Sequence, residues 1–190
     1  YSPREVLIDA NGLGLGLCDE LIKTHTDARG RELPAYGFFN NDDYKKIQPK
    51  DSIPILYSMK ANGPLKSKIN GNAYSRLNGG LVRFLISEQE ARDALLGTKA
   101  GQKMTMRERV QRLLPHEQTT KLFEEMGNLR VKNVGMDIVL EAINKRFHDD
   151  RYYAFAYGLW RIKEIEEAQM KKQRKRGAGK RNLIFFTGGA

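Results

Sequence analysis

Glu5-Val-Leu-Ile-Asp-Ala-Asn-Gly-Leu-Gly-Leu-Gly-Leu-Cys-Asp-Glu-Leu-Ile-Lys23 is the stretch from which the fold class follows. Glu5 to Asp9 reads as a buried strand of apolar, β-favouring residues that ends on an acid. Ala10 to Leu17 is a glycine-punctuated turn. Leu15 to Lys23 then has helical spacing, with Leu17, Leu21 and Ile22 on one side and Asp19, Glu20 and Lys23 on the other. Strand, glycine turn and helix form the opening half of an α/β unit. An acid that closes an apolar strand just before glycines must be solvated, paired or functional, so Asp9 is a candidate site residue. The glycines do not make a nucleotide loop. A dinucleotide fingerprint needs glycine at 12, 14 and 17, and residue 17 is leucine. The chain also lacks G-x-x-x-x-G-K-[ST].

Beyond this stretch, residues 24–50 are polar and rich in turn formers, with Asn40 to Asp43 the clearest loop signal. Ile53 to Met59 reads as a short strand whose early proline suits an edge or a first position. Lys60 to Pro64 reads as a turn, and Leu81 to Ile86 as another strand after Asn78-Gly-Gly80. Ser87 to Leu96 predicts a helix opened by a capping box, Ser87 with Glu90 three residues on. Residues 97–105 read as a loop, and 106–127 as helical with a break at Pro115. Asp137 to Lys145 reads as helical, and the longest helix runs from Asp149 or Asp150 to about Met170. Its apolar stripe is Phe155, Leu159, Ile162 and Ile165. Asn182 to Phe186 is a short strand-like segment.

The 190 residues suit one domain, or one domain with a tail, and Tyr1 in first place suggests a fragment of a longer protein. The lone Cys18 excludes an internal disulfide framework. No apolar run approaches the roughly 20 residues of a membrane-spanning helix, and no membrane partner is expected. Of the net charge of +10, seven charges sit between Lys171 and Arg181, where there is no acid, which leaves +3 for the rest. Residues 1–170 are therefore read as the folded domain and 171–190 as a basic tail. Lys171, Lys172, Arg174, Lys175 and Arg176 form a sequence-independent phosphate-binding block on one reading, and a solubilising linker on the other.

Two acidic positions stand out, Asp9 and the pair Asp149-Asp150 at the start of the long helix. Two-metal phosphodiester chemistry needs carboxylates converging within about 4 Å on paired Mg²⁺ or Mn²⁺ ions. A strand end and a helix start from distant parts of the chain can supply them. An aspartate at a helix start is equally well explained as a plain cap.

These residues resemble a known family. Val6 to Leu21 is similar to the second acidic motif of the nuclease domain in tailed-phage terminase large subunits. His148-Asp-Asp-Arg-Tyr-Tyr-Ala-Phe-Ala-Tyr-Gly-Leu-Trp160 resembles that family's third motif, and Leu56 to Asn62 and Gly80 to Ile86 resemble the segments between. The resemblance implies an RNase H-like α/β fold, a mixed sheet flanked by helices and lacking its first strand. It implies a metal-dependent endonuclease that cuts concatemeric double-stranded DNA during genome packaging in the host-cell cytoplasm. Asp9, Asp149 and Asp150 would be catalytic and metal-ligating, with Mg²⁺ or Mn²⁺ as cofactor, and Lys60 a phosphate contact. The portal, the small terminase subunit and the ATPase part of the large subunit would be partners. The family's first acidic motif lies upstream of the second and has no counterpart in the eight residues before Asp9. Two further readings follow: a non-catalytic DNA- or portal-binding module, and another RNase H-like enzyme such as a resolvase or transposase.

Overall fold

A computed structural model of the chain describes residues 3–11, 14–134, 137–144, 146 and 148–178. The fold is mixed α/β. Strand β1 (Val6–Asp9) leads into helix α1 (Gly14–Leu21), then a short antiparallel ribbon of β2 (His25–Thr26) and β3 (Glu32–Leu33). Strand β4 (Tyr36–Phe38), helix α2 (Asp42–Ile47) and strand β5 (Ile53–Met59) follow, and then helix α3 (Gly63–Asn78). Helices α4 (Glu88–Leu96), α5 (Lys99–Lys103) and α6 (Met106–Gly127) precede an antiparallel ribbon of β6 (Leu129–Val134) and β7 (Asp137–Ala142). Helix α7 (Asp150–Ala178) closes the described chain.

The central sheet has the order β1-β5-β4, and both pairings are parallel. Val6 pairs with Leu56 and Asp9 with Met59. Alternation along the strands therefore puts Leu7, Asp9, Tyr57 and Met59 on one face and Val6, Ile8, Leu56 and Ser58 on the other. The first face meets α3 and α7 in a core of Met59, Ala61, Ile69, Ala73, Tyr152, Ala156, Tyr157 and Leu159. The second meets α1 and α2 through Ile8, Cys18, Ile22, Phe38, Tyr44 and Leu56. Cover on both faces is what an all-parallel sheet requires, and it explains the unbroken apolar runs of β1 and β5. Among the described residues, no strand pairs with the outer edge of β1.

Helix α7 is tied down by its side chains. The Arg161 guanidinium donates to Glu5 at 2.8 and 3.2 Å and to Glu164 at 3.1 Å, and it lies 4.2 Å from the centre of the Tyr57 ring. The hydrogen bond to Glu5 is the main reason the guanidinium pKa lies above its already high ordinary value.

Several expectations are corrected. Strand β5 is central, and Pro54 is tolerated because pairing with β1 begins only at Leu56 and the β4 register shifts beside it. Leu81 to Ile86 is irregular, and Leu81, Leu85 and Ile86 are exposed; Phe84 holds the segment by packing on Phe123 and Phe155. Asp137–Ala142 is a strand, because Ile138 and Val139 favour extended backbone and all six residues pair with β6. Helix α6 runs unbroken through Pro115. Its start is fixed by a capping box at Thr105, and packing on α4 and α7 offsets the one lost backbone bond. Residues 42–47 form a helix where a loop was expected, α3 starts within the expected turn 60–64 and runs through residues 65–77, to which the sequence reading gives no element, and Lys99–Lys103 is a short helix within the expected loop 97–105. Helix α7 continues past the expected end at about Met170 to Ala178, into the basic segment. Asn182 to Phe186 lies outside the described residues.

Candidate functional site

Strand β1 ends at the same edge of the sheet as β5, and the Asp9 side chain is on the face that α7 covers. Asp9 Oδ1 accepts from the backbone N–H of Asn11 at 3.0 Å and from Asn11 Nδ2 at 2.8 Å. This is a local Asx turn that holds one carboxylate oxygen, and the carboxylate also faces the Tyr157 hydroxyl.

The start of α7 is organised by a residue from another helix. Glu125, in the last turns of α6 and only 5% exposed, accepts through Oε2 from the backbone N–H groups of Arg151 (2.9 Å) and Tyr152 (3.1 Å). Its Oε1 accepts from the Arg151 guanidinium at 2.6 Å. The first free donors of α7 are thus capped from outside, the role the sequence offered to Asp149 or Asp150. Those two carboxylates accept no hydrogen bond from any described residue.

All three aspartates line one cleft of about 360 Å³, together with Leu7, Lys66, Tyr153, Ala154 and Tyr157. Asp149, Tyr153 and Tyr157 are spaced i, i+4, i+8 and lie along one face of α7. Tyr157 is 3% exposed, and its hydroxyl makes no hydrogen bond of normal geometry. Burial, then the facing Asp9 carboxylate, push its pKa well above the ordinary tyrosine value. Burial and the charge of Asp149 raise that of Tyr153. Lys66, on the second turn of α3, places its ammonium 4.9 Å from the centre of the Tyr153 ring.

The donors fit a hard divalent cation in kind, being carboxylates with free oxygens and no thiol or imidazole among them. They are incomplete in number. Among the described residues, no group of three or more His, Cys, Asp or Glu side chains is close enough to hold a metal ion.

The remaining candidates lie elsewhere. Lys60 is exposed just past β5, close enough to Cys18 for its charge to lower that thiol's pKa slightly against the larger effect of burial. It does not line the cleft. Lys171, Lys172 and Arg174 are exposed near the far end of α7, about 32–36 Å from Asp150 at 1.5 Å per residue. The side chains of Lys175 and Arg176 lie outside the described set. Glu166 is still tied to the body by the Arg76 guanidinium of α3, and from Glu167 to Arg174 every residue is exposed.

The sequence reading missed Lys66, Tyr153, Tyr157 and Glu125. The two tyrosines were discoverable from their helical spacing with Asp149, but nothing local marked Glu125 or Lys66. Comparisons with protein-family models, curated proteins and solved structures give no match. Among the described residues no helix is long and apolar enough to cross a membrane.

Proposed function

We propose that the chain is the nuclease portion of a terminase-type large subunit, an RNase H-like domain that cuts double-stranded DNA during phage genome packaging. The observation that carries this reading is the shared cleft, in which Asp9 from a strand end meets Asp149 and Asp150 from a helix start more than a hundred residues away. External capping by Glu125 supports it, because it leaves both helix-start carboxylates unused. Asp9 and the Asp149-Asp150 pair would hold Mg²⁺ or Mn²⁺ once drawn closer than the spacing seen here, and the cation when bound supplies an activated water and stabilises the leaving oxygen. The aspartates fix the cation, Asn11 orients Asp9, and the cationic end of α7 grips phosphates without reading sequence. The portal, the small subunit and the ATPase part of the large subunit would be its partners in the host-cell cytoplasm.

The test is Mn²⁺-dependent nicking of supercoiled plasmid by the parent, Asp9→Asn and Asp149→Asn/Asp150→Asn chains. Nicking by the parent that both variants lose is the expected result. Nicking that persists in the variants would sink the assignment. A second reading, a DNA-binding module that does not cut, is favoured by the absence of a three-acid group among the described residues. Duplex binding without any nicking would decide for it.

A further inference from the structure

The cleft carries a feature that cation binding does not use. Three carboxylates line it, yet so does the ammonium of Lys66, which makes no ion pair within 4.0 Å of Asp9, Asp149 or Asp150. A lysine beside a cation site opposes the cation by simple Coulomb repulsion. Lys66 is half-buried and held over the ring of Tyr153, in a row where Tyr152, Tyr153 and Tyr157 follow one another at centroid distances of 5.4 and 5.8 Å. A ring face balances part of the ammonium charge while consuming none of its three N–H donors. The cleft therefore has a negative pole and a positive pole whose donors meet no acceptor among the described residues, in a volume suited to a small anionic group. Sequence reasoning had placed this role on Lys60, which lies outside the cleft.

We infer that Lys66 is the phosphate contact of the site: it takes a non-bridging oxygen of a DNA backbone phosphodiester and positions it beside the aspartates. This rests on the nuclease reading and names the group that the positive pole holds.

The test compares the full chain with Lys66→Met and Lys66→Arg, with folding checked by circular dichroism. Duplex binding is read by fluorescence anisotropy over a salt series, with Ca²⁺ in place of Mn²⁺ so that the DNA stays intact. Loss of one phosphate contact should weaken binding roughly three- to tenfold and reduce the slope of log K against log salt by about 0.9. Lys66→Arg should retain the slope, and Mn²⁺ binding without DNA should be unchanged or tighter in Lys66→Met. An unchanged affinity and slope in Lys66→Met would overturn the assignment. Inorganic phosphate at low millimolar concentration should displace duplex more readily from the parent than from Lys66→Met, and equal displacement from both would also overturn the assignment. Asp9→Asn serves as the separate control. If it binds Mn²⁺ as the parent does, the metal reading fails while the slope comparison still reports on Lys66. A parent chain that binds no duplex would overturn both.

Discussion

Replacing Glu125 with alanine removes a carboxylate that serves three donors from inside the protein. Two of these are backbone N–H groups in the first turn of α7, at 2.9 and 3.1 Å, and the third is the Arg151 guanidinium at 2.6 Å. Loss of a helix cap costs about 1 kcal/mol, and a buried donor deprived of a charged acceptor costs roughly 1–3 kcal/mol more. The Arg151 side chain is 41% exposed, so water replaces much of what the ion pair supplies and its share is about 0.5 kcal/mol. Glu125→Ala should therefore destabilise the chain by roughly 2.5–4.5 kcal/mol, and Glu125→Gln, which keeps one acceptor and the shape, by roughly 1–2 kcal/mol. Equilibrium urea unfolding measures both. Because the same carboxylate fixes where α7 begins, Mn²⁺ binding at Asp149 and Asp150 should weaken in Glu125→Ala even where the protein remains folded. A Glu125→Ala protein within 0.5 kcal/mol of the parent would refute the claim that this residue organises the start of α7.

Three other outcomes are expected. The pKa values of Tyr44 and Tyr152 are pushed up to about 12, chiefly by burial, so the unfolded chain releases these protons first as pH rises. Stability contributed by the protonated phenols should be intact below pH 10 and fall between about pH 10 and 12, at up to about 1.4 kcal/mol per unit for each tyrosine; tyrosinate absorbance that rises without loss of helical circular dichroism would contradict this. A Cβ at Gly101 would lie 1.9 Å from the Leu95 carbonyl oxygen, so Gly101→Ala should cost about 1–3 kcal/mol by forcing α5 away from α4, visible as a lowered melting temperature. Reversing Lys171, Lys172 and Arg174 to glutamate should weaken duplex binding by a similar factor for any sequence and flatten its salt dependence, and unchanged binding at low salt would remove the tail from the argument.

The parts legible from sequence were those where local chemistry and tertiary demand agree. An apolar run ending at Asp9 before glycines has one economical fold, and Ser87 with Glu90 forms the capping box its spacing announces. Helix α3 was hidden because it opens with Gly63-Pro64 and carries Asn70, Gly71 and Asn72 in its middle. It is held by the Asn62 cap and by contacts with α7 and β7 rather than by propensity. Lys66 was lost with it. Asp137–Ala142 is short enough for periodicity to fit either state, and only pairing with β6, the strand just before it, decides it. Glu125 looked like one more solvated acid on a polar helix until the fold brought α6 beneath α7.

Helix α7 has aspartates at one end and a cluster of lysine and arginine at the other, separated by most of its length. Both charges oppose the backbone macrodipole, which favours anions at the first turn and cations at the last. The side-chain charges also give the molecule a lasting electrical polarity. In the field of a polyanion it turns basic end first, so encounter and grip should precede any engagement of the acidic cleft. The order of events on a long duplex would then be set during diffusion, before any contact is made.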